Sequence, residues 1–345
     1  MKAQGIVLPH YGIGDFLSNL IFINALEKKF PNDKFIIFTK PRTKAKNLLI
    51  NRKNIKVYYI RNRYNSISSL IDFFSLRKVF IKEKIKKIWI FHRSPRFAIV
   101  SLFSKVDEIL GFGFGIQKFL LNSGKNLNKK FKNSSPMIKS YEFLKINNIL
   151  INNPHPFLKV EKSEVYDIKK KFNIYQKPWI LIGFSSTDSS RTWQKKYFVK
   201  LIEKLDAYKK YTFFLIGAPS EFKEGNKIIK MLKLKKSKIK NFCKSINQTM
   251  ALMQQSQFYV GNDAGNAHLS LACELQTYVI HGGSPPYTQT VYKNYPRKFL
   301  KNLKPILPPD GVIRNPNLRS IDTVPQEKGM DLIKPEYVLK KIKKI

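Results

Sequence analysis

The chain has 345 residues, room for two domains that each bury a core of their own rather than one domain of typical size. With 43% hydrophobic and 25% charged residues it is neither a disordered nor a fibrous sequence. Its 64 Lys and Arg against 23 Asp and Glu leave a formal charge of +41, which favours polyanions or anionic surfaces as partners, although Lys is spread through almost every segment rather than gathered in one.

The first half alternates β-type apolar runs with helix-length amphipathic segments. Strands are predicted over 5–9, 35–39, 56–60 and 88–91, and helices over 15–29, 68–84 and 136–149. Residues 151–160 then change to Asn-Asn-Pro-His-Pro, where closely spaced prolines favour an extended linker. The second half repeats the alternation, with strands over 179–184, 213–217, 258–261 and 278–281 and a helix over 193–205. The pattern predicts an α/β fold of two parallel sheets covered by helices: a lobe over 1–155, a second over 156–330, and a basic helix over 331–345, with any ligand in the crevice at the carboxyl ends of the strands. In many two-lobed folds such a tail helix packs back on the first lobe, and that placement is the expectation here.

Other classes are set aside by what is missing. Cys243 and Cys273 lie far apart without a C-x-x-C or His-rich spacing, so a disulfide framework and a zinc site are not expected and a reducing cytoplasm fits. The longest apolar stretch, 17–26, is broken by Ser18, Asn19 and Asn24, so no membrane span is expected. No RRM, KH, zinc-finger or helix-turn-helix signature accompanies the charge, and nucleic acid is not expected as a partner.

Three strand-to-helix loops carry candidate chemistry. The first strand ends in His10-Tyr11-Gly12-Ile13-Gly14-Asp15, whose glycines allow close backbone approach; Leu17 stands where a dinucleotide fingerprint needs its third Gly. Asp15 reads either as a first-turn acid at the helix dipole or as a general base. Ser185-Ser186-Thr187-Asp188-Ser189-Ser190-Arg191 offers hydroxyls and a guanidinium suited to diphosphate oxygens, and reads equally as an ordinary βα loop. Gly261-Asn262-Asp263-Ala264-Gly265-Asn266-Ala267-His268 is the strongest signal, because small residues at a helix start leave backbone N–H groups open to an anion.

These segments, with Gly217-Ala218-Pro219-Ser220-Glu221 and the stretch from Phe91-His92-Arg93-Ser94-Pro95-Arg96 to Gly111-Phe112, resemble glycosyltransferase family 9, the ADP-heptose:lipopolysaccharide heptosyltransferases. The resemblance implies a GT-B fold, two Rossmann-like α/β/α lobes facing each other across a cleft, with the first binding the acceptor and the second the nucleotide sugar. It implies inverting transfer without a metal, with Asp15 deprotonating the acceptor hydroxyl. Ser186, Thr187 and Arg191, the last at a position where the family commonly has Lys, would hold the donor diphosphate. Glu221 would contact the ribose, Asp263 would orient the donor sugar, and the Ala264 and Gly265 amides with His268 would bind phosphate. No cofactor is implied beyond the nucleotide-sugar substrate, expected to be ADP-linked. The acceptor would be an acidic glycolipid.

Gly14, Arg61, Arg63, Arg93 and Arg96 are the expected acceptor contacts in the first lobe; a solvated basic surface is the alternative. The segment 81–88, read as a helix with Lys82, Lys84, Lys86 and Lys87 beside Ile and Trp89, suits either burial or a peripheral contact with the inner membrane surface. Two rivals stay open: a relative using another nucleotide sugar, and a catalytically silent binder.

Overall fold

A computed structural model describes residues 2–9, 12–60, 66–152, 156–172, 178–208, 211–282, 302–309 and 326–342. The chain divides into two compact units, Met1–Pro156 and Phe157–Ile345.

The first unit runs β1 (Ala3–Leu8), α1 (Ile13–Lys29), β2 (Lys34–Thr39), α2 (Ala45–Leu48), β3 (Ile55–Tyr59), α3 (Ser66–Lys82), β4 (Ile85–Ile90), α4 (Arg96–Phe103), β5 (Glu108–Gly111) and α5 (Pro136–Ile146). Its strands form a parallel sheet in the order β3-β2-β1-β4-β5. The central strands bury nearly every residue, since helices cover both faces, and so they read as continuous apolar runs rather than alternating ones. A core of Val7, Ile36, Phe38, Ile88 and Ile90 from the sheet and Leu76, Phe80, Phe97 and Val100 from α3 and α4 fills one side.

The second unit runs α6 (Lys162–Phe172), β6 (Trp179–Gly183), α7 (Lys195–Tyr208), β7 (Thr212–Ile216), α8 (Phe222–Met231), β8 (Ile239–Phe242), α9 (Ile246–Met253), β9 (Phe258–Asn262), α10 (Gly265–Ala272), β10 (Gln276–Ile280), β11 (Leu303–Ile306), α12 (Gln326–Leu332) and α13 (Pro335–Ile342). Its parallel sheet has the order β11-β10-β9-β6-β7-β8. The chain leaves β6 in one direction and returns beside it at β9, so the strand order reverses between these two neighbours. That reversal opens the helix layers apart at the carboxyl ends of β6 and β9, the place where open α/β sheets take ligands.

One expectation is corrected. The segment 81–88 is not one helix: α3 stops at Lys82, Lys84 adopts a left-handed turn with φ 50°, and Ile85–Ile90 is β4, with Ile85, Ile88 and Trp89 all buried. The tail helix, α13, belongs to the second unit. It packs on α7 of its own unit, where Val338 and Ile342 join the core, Lys334 Nζ donates to the Tyr197 hydroxyl at 2.6 Å and Lys204 pairs with Glu336 at 3.3 Å. Among the described residues no helix is long and apolar enough to cross a membrane.

Candidate active site

In the second unit, four adjacent strands deliver the candidate residues to one edge of the sheet. The β6 loop carries Ser185, Ser186, Thr187, Asp188 and Arg191; the β7 loop carries Glu221; β9 ends at Asn262, followed by Asp263 and α10; β10 is followed by His281. Gly183 and Gly261 lie opposite each other in the β6–β9 register, and a Cβ at either would overlap the Tyr259 hydroxyl, so glycine is needed where these strands approach most closely. Asn262, fully buried, ties the two strand ends together. Its amide donates to Phe184 O at 3.0 Å and its carbonyl accepts from Trp193 N at 2.9 Å.

Asp263 sits among two histidines and an arginine. Its side chain is 2% exposed and lies 3.6 Å from His281 Nδ1, 4.0 Å from Arg191 Nη1 and 4.0 Å from His268 Nε2. These are ion-pair distances rather than hydrogen bonds. Burial alone would push the carboxyl upward, but His281 first, then His268 and Arg191, outweigh it and hold Asp263 down at about 2. Arg191 is fixed from its other side by Asp188 Oδ2 at 3.1 Å, and Asp188 N donates to Ser186 Oγ at 3.2 Å, so the Ser-rich loop is a folded structure that aims its guanidinium. The N-cap of α10, Ala264, makes no side-chain capping hydrogen bond, and Ala264 and Gly265 are half-buried, which leaves that positive helix end without a competing side chain.

Glu221 accepts from Ser185 Oγ at 2.8 Å and from Ala218 N, holding the β6 and β7 loops together. The structure therefore brings Ser186, Arg191, Asp263, Ala264, Gly265 and His268 to the reversal point, with Glu221 one strand further along and Thr187 exposed on the same loop.

Sequence reasoning missed His281. It follows β10 in a run with no motif, and only the pairing of β10 with β9 shows that it faces Asp263. Replacing His281 by Phe is expected to let the Asp263 carboxyl rise from about 2 toward its ordinary value. A carboxyl held low stabilises the fold above its unfolded value of 3.8, so the variant should unfold at a higher pH than the wild type when titrated with acid and followed by circular dichroism.

In the first unit, Asp15 is exposed in the first turn of α1, and its Oδ2 accepts from Gly12 N at 3.1 Å; Gly14 is half-buried beside it. The loop after β4 is pinned by the buried Gln117, whose amide donates to His92 O at 2.8 Å and Ser94 O at 3.1 Å. Arg93 in that loop is exposed and close enough to Lys139 of α5 to add to the effect of burial in lowering its pKa. Arg96 is different: it forms an ion pair with the buried Asp72, bracing α4 against α3, so its guanidinium is committed within the fold. Arg61 and Arg63 lie outside the described residues. Among the described residues no group of three or more His, Cys, Asp or Glu gathers in a way that could hold a metal ion.

Comparison with known proteins places this geometry. The sequence description of glycosyltransferase family 9 (heptosyltransferase) matches residues 94–304. A family 9 glycosyl transferase from Veillonella parvula aligns with a TM-score of 0.77 at 13% identity, covering 99% of this chain and 96% of that one. The ADP-heptose lps heptosyltransferase II of E. coli aligns with a TM-score of 0.69 at 17% identity over 99% and 100% of the two chains. E. coli heptosyltransferase WaaC, solved with ADP-2-deoxy-2-fluoro heptose, aligns with a TM-score of 0.67 at 13% identity over 99% of each. At these identities the likeness establishes the fold, and it is the expected GT-B class. No curated protein sequence matches the chain.

Proposed function

The chain belongs to glycosyltransferase family 9 (heptosyltransferase) and is a glycosyltransferase; from that premise we propose that it moves a heptose or related sugar, with inversion, from an ADP-linked donor to an acidic glycolipid core at the cytoplasmic face of the inner membrane. The observation that carries the reading is the cluster at the β6–β9 reversal, where Arg191, His268 and the start of α10 surround one buried carboxylate. A guanidinium, an imidazole and a helix start without a side-chain cap, gathered at one sheet edge, are donors suited to diphosphate oxygens. In the proposed reaction the acceptor oxygen attacks the anomeric carbon, its proton passes to Asp15, and the bond to the nucleoside diphosphate breaks. The charge gained by the departing diphosphate is met by Arg191 and the amides of Ala264 and Gly265, with Ser186, Thr187 and His268 as further donors, Asp263 orienting the sugar and Glu221 beside the ribose. Arg93 and Gly14 would serve the acceptor.

On this account the leaving group is stabilised by the protein alone. An iron-containing heptosyltransferase of the same general fold, TibC of E. coli, aligns at 11% identity and a TM-score of 0.54. Transfer is therefore to be measured with and without a chelator: activity that survives supports the metal-independent route, and activity that stops removes it.

The donor is tested by thermal shift against a panel of nucleotide sugars, since a ligand that binds only the folded chain raises its midpoint. ADP and ADP-heptose should stabilise more than UDP or GDP counterparts. A UDP-sugar that stabilised most strongly would instead support the alternative, the same fold acting on another surface glycan.

A further inference from the structure

The helix that the sequence placed at 81–88 dissolves into a turn and a buried strand, but a different surface next to it remains unexplained. Helix α3 buries Asp72, Leu76 and Phe80 and exposes the other side, where Leu70, Phe74, Lys78 and Ile81 follow one another at helical spacing with Arg77 and Lys82 beside them. Leu70 is 60% and Phe74 62% exposed. This face continues onto α4. The Phe73 ring meets Phe74 at 5.5 Å and Phe103 at 5.7 Å, and Arg77 Nε donates to Phe103 O at 3.0 Å. Beyond it lies the short 3-10 segment Gly115–Leu120, packed on α4 and pinned by Gln117, which exposes Ile116 at 70% and Phe119 at 85%. Single exposed apolar residues are ordinary; a run of them across three packed elements marks a contact surface.

Charge selects the partner. The exposed cations on and beside this face are Arg77, Lys78, Lys82, Lys105 and Lys118, while the single acid of α3, Asp72, is buried against Arg96. A second copy of the same face would be repelled. A bilayer with anionic headgroups satisfies both features at once, taking the aromatic and aliphatic tips among the acyl chains and the ammonium and guanidinium groups at the phosphates.

We propose that the outer face of α3, with the end of α4 and the 115–120 turn, docks the enzyme on an anionic membrane surface through Phe74, Phe103 and Phe119 flanked by basic side chains. It deepens the membrane contact named with the proposed function and rests on that reading only for its purpose, not for its physics. The tip geometry requires shallow interfacial insertion, not a span.

The test is flotation of the full chain with vesicles of phosphatidylcholine alone or mixed with phosphatidylglycerol, at low and high salt. Binding should need the anionic lipid. The pair Phe74→Ser and Phe103→Ser should weaken it by about tenfold or more, because two apolar tips no longer enter the bilayer. The pair Lys78→Gln and Lys82→Gln should weaken it roughly fivefold per cation removed. As a control, Lys169→Gln with Lys170→Gln on α6 should leave binding unchanged, and circular dichroism melts should coincide for all variants. If Phe74→Ser/Phe103→Ser binds like the wild type and salt releases both equally, the attraction is the diffuse charge of the whole chain and the docking face is overturned. A change in oligomeric state in that variant with vesicle binding intact would assign the face to a protein partner and overturn it too. Donor-induced thermal shift is recorded in parallel on the same variants, so loss of docking and failure of the transferase reading are read separately.

Discussion

Asp15→Asn is expected to lower the transfer rate by about 10²- to 10⁴-fold, the usual contribution of a positioned general base, with the donor-induced thermal shift unchanged. Asn is the informative substitution because it keeps an oxygen that can accept from Gly12 N, as the carboxylate does at 3.1 Å, and so retains the first turn of α1. Alanine would remove the acceptor and the acid together. Asp15 is exposed, and a first-turn acid stabilises its helix by at most about 1 kcal/mol, so neither variant should unfold. Measured rates and melting midpoints then separate the two readings of this residue. A variant that keeps activity within a few-fold makes Asp15 a helix-terminus acid only, and the proton must go elsewhere. A variant that loses donor binding as well makes it structural for the donor site.

Much of the fold was legible because parallel strands buried on both faces leave uninterrupted apolar text. The runs at 35–39, 179–184, 213–217 and 258–261 each coincide with a strand to within one residue. The strand-to-helix loops of the second unit were legible for a related reason: Gly, Ser, Asn and Asp gather where a strand must turn at once into a helix, as at Asn262, Asp263 and Gly265. What was not legible depended on contacts between distant segments. The lysines and isoleucines of 81–88 suit a helix as well as a strand, and a non-glycine residue in the left-handed region, Lys84, gives no warning of the break. Arg96 resembles a free loop cation until Asp72 is found beneath it. The amphipathic tail helix fits any apolar groove, and only the packing of Val338 and Ile342 assigns it to the second unit.

Asp263 carries the other large expectation. The side chain is 2% exposed with His281, Arg191 and His268 within 4.0 Å, so replacing it by Asn, which keeps the shape and removes the charge, takes the buried carboxylate from all three and leaves Arg191 with Asp188. Removing one partner from a buried ionic cluster costs roughly 3–5 kcal/mol, and that loss is expected near neutral pH in denaturant titrations of Asp263→Asn against wild type. The pH dependence has a definite sign. A carboxyl whose folded value is about 2 and whose unfolded value is 3.8 contributes its stability fully above 3.8 and loses it as pH falls from there toward 2. The difference corresponds to about 2 kcal/mol in the wild type, and Asn has nothing to protonate, so the gap between the two proteins should narrow across that interval. The same logic ties stability to donor binding. In Asp263→Asn a diphosphate restores negative charge beside Arg191, which keeps Asp188 but has lost its buried carboxylate, so the nucleotide should raise the melting midpoint of the variant by more than it raises that of the wild type, even where catalysis is lost. If instead Asp263→Asn is as stable as wild type at neutral pH and gains nothing from the nucleotide, Asp263 is not the charge partner of this cluster and the diphosphate does not bind at the β6–β9 reversal.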